Sequence, residues 1–326
     1  MKKSISILLA LVMVLSMAAC MKVRAAEKPV AAAEANVAKD AVTATAAPTE
    51  APTPEPTEVP FDVAIAEANE KLQQVKSMHM DMEMNMGMVI TIAMGELKQT
   101  MPMDIHMLYA MDVINDPYVV RADVTLSTNT NDESMQGVIY VVKEGEDMIL
   151  YASDDDGVTW NKTVNPKDSQ LPQGPSETLD MFSGEGVNIQ LTGVEEVNGK
   201  PAKVYAGTID GKFLQQVLNA SGSMNELTEA MGADMSEEAL ANLSDIDVTI
   251  MIDAESGLPV RYVIDMAGAM KDLMMTALVA SMGGELPEGV ELDIDMSATL
   301  IEMTLSNFDA VEPIEIPEAA LNTPAL

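Results

Sequence analysis

The spacing of apolar residues changes several times along the chain, and each change predicts an element. Behind Lys2 and Lys3, Ile5 to Ala19 is an almost unbroken apolar run. Glu27 to Pro60 has no apolar period and is built of Ala, Pro, Thr and Glu. Ile65, Ala68, Leu72 and Val75 then recur at helical spacing, with Glu67, Glu70 and Lys71 opposite, which predicts an amphipathic helix.

At Met78 the period drops to two. Met78, Met80, Met82, Met84, Met86, Met88, Ile90, Ile92 and Met94 hold every second position, and His79, Asp81, Glu83 and Asn85 begin the alternate set. Successive strand side chains point to opposite faces, so this is a long strand with one buried and one mostly wet face. After a turn near Gly95 to Gln99, Met101, Met103, Ile105, Met107, Tyr109 and Met111 repeat the pattern, followed by Val120, Ala122, Val124 and Leu126. Strands are expected next at Gly137 to Lys143, Met148 to Ala152 and Val158 to Thr163, the last two joined by an Asp154-Asp155-Asp156-Gly157 turn.

Further strands are predicted at Val187 to Leu191, Lys203 to Ile209, Ile246 to Ile252, Val260 to Met266 and Leu292 to Leu305. In the last, apolar residues move from even to odd numbers between Leu300 and Ile301, which implies a bulge near Leu300 or a strand that leaves one layer for another. Short helices are expected at Phe213 to Leu218 and after the capping-box pairs Ser223/Glu226 and Asp234/Glu237. A longer one, Ala267 to Met282, carries Met270, Leu273, Met274, Ala277, Leu278 and Ser281 on one side. Met275 and Val279 widen that stripe until the helix must be buried on two sides or cover an apolar opening. One strongly apolar sheet face with a few helices to cover it predicts an α+β fold: a large, curved antiparallel sheet, a half-open barrel, with helices packed on its concave face.

The domain plan follows. Residues 1–19 read as a signal peptide, since a charged head precedes an apolar core too short for the roughly 20 residues of a membrane helix. Met17-Ala18-Ala19-Cys20 resembles the lipobox of bacterial lipoproteins, which implies acylation of Cys20, the chain's single cysteine. Ordinary cleavage after Val23-Arg24-Ala25 is the alternative and would give a freely secreted protein. Residues 20–60 then form an Ala/Pro/Thr/Glu tether, 61–313 the body and 314–326 a C-terminal tail. The expected place is the outer face of the cell membrane, held by the lipid.

Composition narrows the chemistry. With 52 acidic against 18 basic residues the net charge is −34, which disfavours nucleic acid and anionic headgroups as partners. No cysteine in the body, no Gly-x-Ser-x-Gly elbow and no phosphate loop is present, and the two histidines, His79 and His106, fall on the polar phase of their strands. A hairpin turning near Leu97 would keep them apart and leave them exposed. Neither an enzyme nor a cofactor is expected.

Methionine is the unusual component, 29 residues against 11 aromatics. Thioethers can bind Cu(I), but Met78 and Met80 point away from His79 on a strand, so no metal site is expected. Methionine also adapts to ligands of varied shape, whereas a tightly specified core more often uses branched and aromatic residues. Two readings therefore stand side by side, a solid core and an apolar cavity. In the second, Met80, Met82, Met84, Met86, Met88, Met103, Met107 and Met111 form the wall and Met270, Leu273, Met274 and Leu278 the cover.

The order of elements, the hairpin Ile252-Asp253-Ala254-Glu255-Ser256-Gly257-Leu258-Pro259 and the closing stretch Phe308 to Pro317 resemble uncharacterised clostridial-type surface lipoproteins. These are similar to the carrier LolA and the mycobacterial lipoproteins LppX and LprG. The resemblance covers most of Phe61 to Ala320 and implies a half-open sheet around helices with a cavity for acyl chains. It fixes no binding residue. The function it implies is non-enzymatic binding of a lipid or other apolar ligand; a structural or adhesive lipoprotein and a Met-based copper protein are the alternatives.

Overall fold

The computed structural model describes residues 59–129, 131–145, 147–155, 157–165, 182, 186–212, 243–282, 286 and 289–324. The signal segment, Cys20, nearly all of the tether and the three short helices expected between Phe213 and Glu237 lie outside them.

The elements run α1 (Phe61–Leu72), β1 (Ser77–Met94), β2 (Leu97–Asn115), β3 (Tyr118–Thr128), β4 (Asn131–Glu144), β5 (Asp147–Ser153) and β6 (Asn161–Asn165). There follow β7 (Val187–Val197), β8 (Lys200–Ile209), β9 (Ile246–Asp253), β10 (Pro259–Asp265), α2 (Ala267–Ser281), β11 (Val290–Ser306) and α3 (Glu318–Leu321). All eleven strands form one antiparallel sheet in the order β6-β5-β4-β3-β2-β1-β11-β10-β9-β8-β7. Each half is a meander of chain neighbours, and the first and last strands pair at the centre. Among the described residues the sheet is not closed, and β6 and β7 are its outermost strands.

The central seam is fastened where strands enter and leave it. Asn307 and Asp309 adopt positive φ, which turns the chain after β11 back over the start of β1. There Asp309 donates its N–H to the Ser77 carbonyl (2.7 Å), and its carboxylate accepts the Lys76 N–H (2.6 Å). The Ser77 hydroxyl accepts the Val311 N–H (3.2 Å).

Register follows from the methionines. Paired residues share a face, so the even-numbered apolar set of β1 can lie beside the odd-numbered set of β2 only if even pairs with odd. The turn accordingly falls at Gly95-Glu96, with Gly95 at positive φ, and Met80 pairs with Met111, Met84 with Met107, Met88 with Met103. A turn centred on Leu97 would have set Met82 beside Asp112 and Met88 beside His106. On the other side Met80 meets Leu305, Met82 meets Met303 and Met84 meets Ile301. The phase change in β11 is real but sits at Ser297, not Leu300: Gly87 pairs with Ala298 and Met88 with Met296, so Ser297 is the extra residue. Gly87 has no side chain because the Ser297 hydroxyl occupies the place a Cβ would take.

α1 buries Phe61, Ala64, Ile65, Ala68 and Leu72. At about 1.5 Å per residue its length matches roughly four strand spacings, so it spans from Phe61 against Tyr205 of β8 (ring centroids 5.7 Å) to Leu72, just before β1. These residues share one connected core with Met78 to Met86 and with Ala269, Met270, Leu273 and Ala277 of α2. A second cluster joins Tyr140, Tyr151 and Trp160 to Ile314, Ile316 and Ala320, so the C-terminal tail is seated on β4 and β5. Val158 to Trp160 is loop rather than strand. Asp155 organises it, accepting the Thr159 hydroxyl (2.6 Å), the Thr159 and Val158 N–H groups and the Ser153 hydroxyl, and these bonds hold its pKa down at about 2.

The edge strand β7 lies so close to β8 that a Cβ on Gly207 would run into the Asn188 carbonyl. Backbone cannot step aside as a side-chain tip can. Gly207→Ala is therefore expected to cost about 2–3 kcal/mol, read from the shift in urea midpoint, with Trp160 fluorescence as the probe.

Candidate functional site

The candidate site is built from alternation on β1 and its two neighbours. Met78, Met80 and Met107 are 0 % exposed, and Met82, Met84, Met86, Met88 and Met111 are buried as well. Tyr109 lies between Met107 and Met111 on the same face, its hydroxyl 3.9 Å from the Met107 Sδ. Burial pushes that phenol up to about 12. Tyr262 is raised further by burial, pairs with Met303 on β11 and stacks on Phe182 at 6.3 Å. These aromatics were not singled out in the sequence because each sits alone in its strand, and only cross-strand pairing groups them.

α2 follows β10 directly and packs on β11. The Met266 N–H bonds the Thr299 carbonyl (2.9 Å), and the Asp272 carboxylate accepts both the N–H and the hydroxyl of Ser244 (2.8 and 2.6 Å). Met270 and Leu273 are buried in the common core, whereas Met274 and Leu278 are half-buried, as is Met103 at the other end of the set. The residues named from sequence thus divide. Met80 to Met86, Met107, Met111, Met270 and Leu273 belong to one connected core. Met103, Met274 and Leu278 lie where burial gives way to solvent.

The opposite face is polar. A shallow groove of about 340 Å³ lies there, lined among others by Asn85, Gly87, Asp104, His106 and Ser297. The histidines remain apart, since His79 pairs with Asp112 and His106 with Asn85. They are not bare exposed imidazoles, however. His79 Nδ1 lies 2.7 Å from the Asp112 carboxylate and its Nε2 3.3 Å from Asp81, and His106 Nε2 lies 3.1 Å from Glu83. The Asn85 amide and His106 together lower the Glu83 pKa. Met78 and Met80 are buried on one face and His79 bonds carboxylates on the other, so the three do not converge on one ion. Among the described residues no group of three or more His, Cys, Asp or Glu side chains is placed to hold a metal.

Partial burial disfavours the charged form of His79, but the Asp112 hydrogen bond, with Asp81, outweighs it and raises the pKa above the ordinary histidine value. The sign follows: this pair stabilises the fold fully below the unfolded histidine pKa of about 6.5 and loses that contribution as pH rises through the higher folded value. Denaturant midpoints of the wild type should therefore fall relative to His79→Gln as pH is raised from about 6.5, and the two profiles should run parallel once His79 is neutral.

Among known proteins, the resemblances are distant. A family described as "Family of unknown function (DUF6612)" matches residues 62–184, the stretch that holds α1 and β1 to β6. Its description assigns no activity. LprF from Mycobacterium bovis aligns over 79 % of this chain and 96 % of its own, with 14 % identity and a TM-score of 0.40. The Mycobacterium tuberculosis lipoprotein LppX aligns over 78 % of this chain and 97 % of its own, with 16 % identity and a TM-score of 0.37. No curated protein matches the chain. Similarity at this level transfers neither a ligand nor a residue.

Proposed function

We propose that this chain is an exported, non-enzymatic lipoprotein, anchored through Cys20 on the outer face of the membrane, that holds a lipid or another apolar molecule between its methionine face and α2. The observation that carries the reading is the grading of burial along that face. Met78, Met80 and Met107 touch no solvent, while Met103, Met296, Met274 and Leu278 are only partly covered. An acyl chain would enter at the partly covered end and displace unbranched thioether side chains, whose low rotational barriers let the wall change shape. Supporting features are the unclosed sheet and an α2 that bears only Lys271 and Asp272 as charged residues among fifteen. In this reading the helices lie in the concavity of a curved sheet.

The test is native mass spectrometry of the chain, stripped of endogenous lipid and titrated with a soluble fluorescent fatty acid. One equivalent retained, and displaced by long-chain lipid, is expected. No retained adduct would reject the carrier and leave the second reading, a structural or adhesive lipoprotein with a solid core. The complete burial of Met78, Met80 and Met107 favours that alternative.

A further inference from the structure

The central strands outrun their neighbours. β3 makes its last pairing with β2 at Ile105, opposite Met86, and β10 makes its last with β11 at Leu300, opposite Asn85. Beyond these rows no other strand among the described residues pairs with β2, β1 and β11, which run on to the Gly95-Glu96 turn; Ile294, at the base of this stretch, is 0 % exposed, and the open part lies nearer the turn. Together they form a three-stranded ribbon about 25 Å long at about 3.3 Å per residue.

This ribbon has two unlike faces. On the side continuous with the methionine face, Ile92, Met94, Leu97, Met101, Val290 and Leu292 lie in register, with the exposed Gln99 opposite Ile92 as the polar residue among them. Their cover thins toward the turn: Met88 is 2 % exposed, whereas Met94 reaches 58 %, Leu97 76 % and Met101 40 %. The other side presents Lys98, Glu291, Asp293 and Asp295, three carboxylates to one ammonium. Large apolar side chains grouped in the open on one side of a turn, as Met94, Leu97 and Met101 are, point to an interaction site.

We infer that the apolar face of this ribbon docks on the surface of an electrically neutral bilayer, where cargo passes between membrane and interior. The inference rests on the carrier reading above. Two observations select the occupant. The face is continuous with the interior that would hold the cargo, so a chain leaving the bilayer would slide along Met94, Ile92 and Ile90 toward Met88 without crossing water. The acidic reverse face and the net charge of −34 oppose anionic headgroups, and with the apolar side down that acidic face stays in water.

The experiment uses residues 20–326 with Cys20→Ser, which retains every described residue and removes the acyl group. Flotation with phosphatidylcholine vesicles should recover the protein, and replacing part of the lipid with phosphatidylglycerol at low salt should weaken recovery. Leu97→Asp and Met94→Asp should each lower partitioning about tenfold, as expected for a lost apolar side chain. Val158→Asp, at a position 77 % exposed on the β5–β6 loop, should leave partitioning unchanged. Unchanged Trp160 fluorescence would show that the variants fold. In a Trp160→Phe background, Leu97→Trp should shift to the blue on vesicles and be quenched by brominated lipid.

Absence of vesicle binding, binding indifferent to Leu97→Asp, or a concentration-dependent dimer that protects Leu97→Trp without vesicles would overturn the docking proposal. Fatty-acid retention by the same proteins, measured without vesicles, reports on the carrier reading separately. Retention with no docking sinks only this inference, and docking with no retention sinks the carrier and with it the passage of cargo, leaving the membrane contact alone.

Discussion

Met84→Ala is expected to lower stability by about 2–5 kcal/mol, the range for truncating a long apolar side chain in a packed interior. Met84 is 2 % exposed and sits between Met107 on β2 and Ile301 on β11, in the middle of the seam that joins the two meanders. Met107 is one of the neighbours that would fill the void, and its flexible side chain allows partial collapse, which should put the loss in the lower half of that range. Equilibrium urea unfolding, followed by Trp160 fluorescence, measures it. The contrast is Met82→Leu, Met84→Leu and Met107→Leu combined. Nearly volume-conserving exchanges should each cost under about 1.5 kcal/mol, but they remove thioether flexibility. If the face receives apolar ligands, the triple variant should stay folded and bind a narrower range of fatty-acid chain lengths. An unchanged range would mean that methionine serves here only as filling.

Asp253→Ala should cost about 2–4 kcal/mol, because it strips a nearly buried acceptor from a turn that depends on it. Asp253 ends β9 and is 4 % exposed. Its carboxylate accepts the Ser256 N–H (2.6 Å), the Ser256 hydroxyl (2.7 Å) and the Glu255 N–H (3.2 Å). The turn it shapes presents the Ser256 carbonyl to Lys71 of α1 (2.6 Å), so losing the turn also loosens the helix. Burial raises the Asp253 pKa, but the Ser256 bonds, with the Glu255 N–H and Lys200, outweigh it and the net shift is downward. Its stabilising contribution is therefore present above the unfolded aspartate pKa of about 3.9 and disappears as pH falls through the lower folded value. The wild type should approach the Asp253→Ala variant in stability as the medium is acidified through that window, measured by thermal unfolding.

How far the sequence went can be traced through single residues. Met78 to Met94 stated their own strand, and Met78 to Met88 its buried face, because a period of two has one structural meaning over so long a run. The buried face of α1, the start of α2 at Ala267 and the phase change in β11 were legible for the same reason. The bulge was misplaced by three residues because Ala298 and Leu300 are apolar yet lie on the outer face, and apolar character alone does not tell which side of a sheet a residue lies on. The Leu97-centred turn missed the register, although the Met sets on β1 and β2 already required even to meet odd. The candidate face was half legible: the methionines marked its buried row, but their neighbours across the strands, Tyr109, Thr299 and Met303, are remote in sequence.

Local pattern thus determined the elements, the wet and dry faces, the acidic surface and the absence of familiar catalytic motifs, since each depends on residues only a few positions apart. The tertiary structure alone decided that the first strand pairs with the last and that three strands run on past their neighbours. It also decided that the carboxylates of Asp112, Asp81 and Glu83 meet the histidines, and that one end of the methionine stripe is sealed while Met94 stands in solvent. Those features depend on which distant segments become neighbours, and that choice is set by the summed burial of the whole sheet rather than by any stretch of chain that can be read alone.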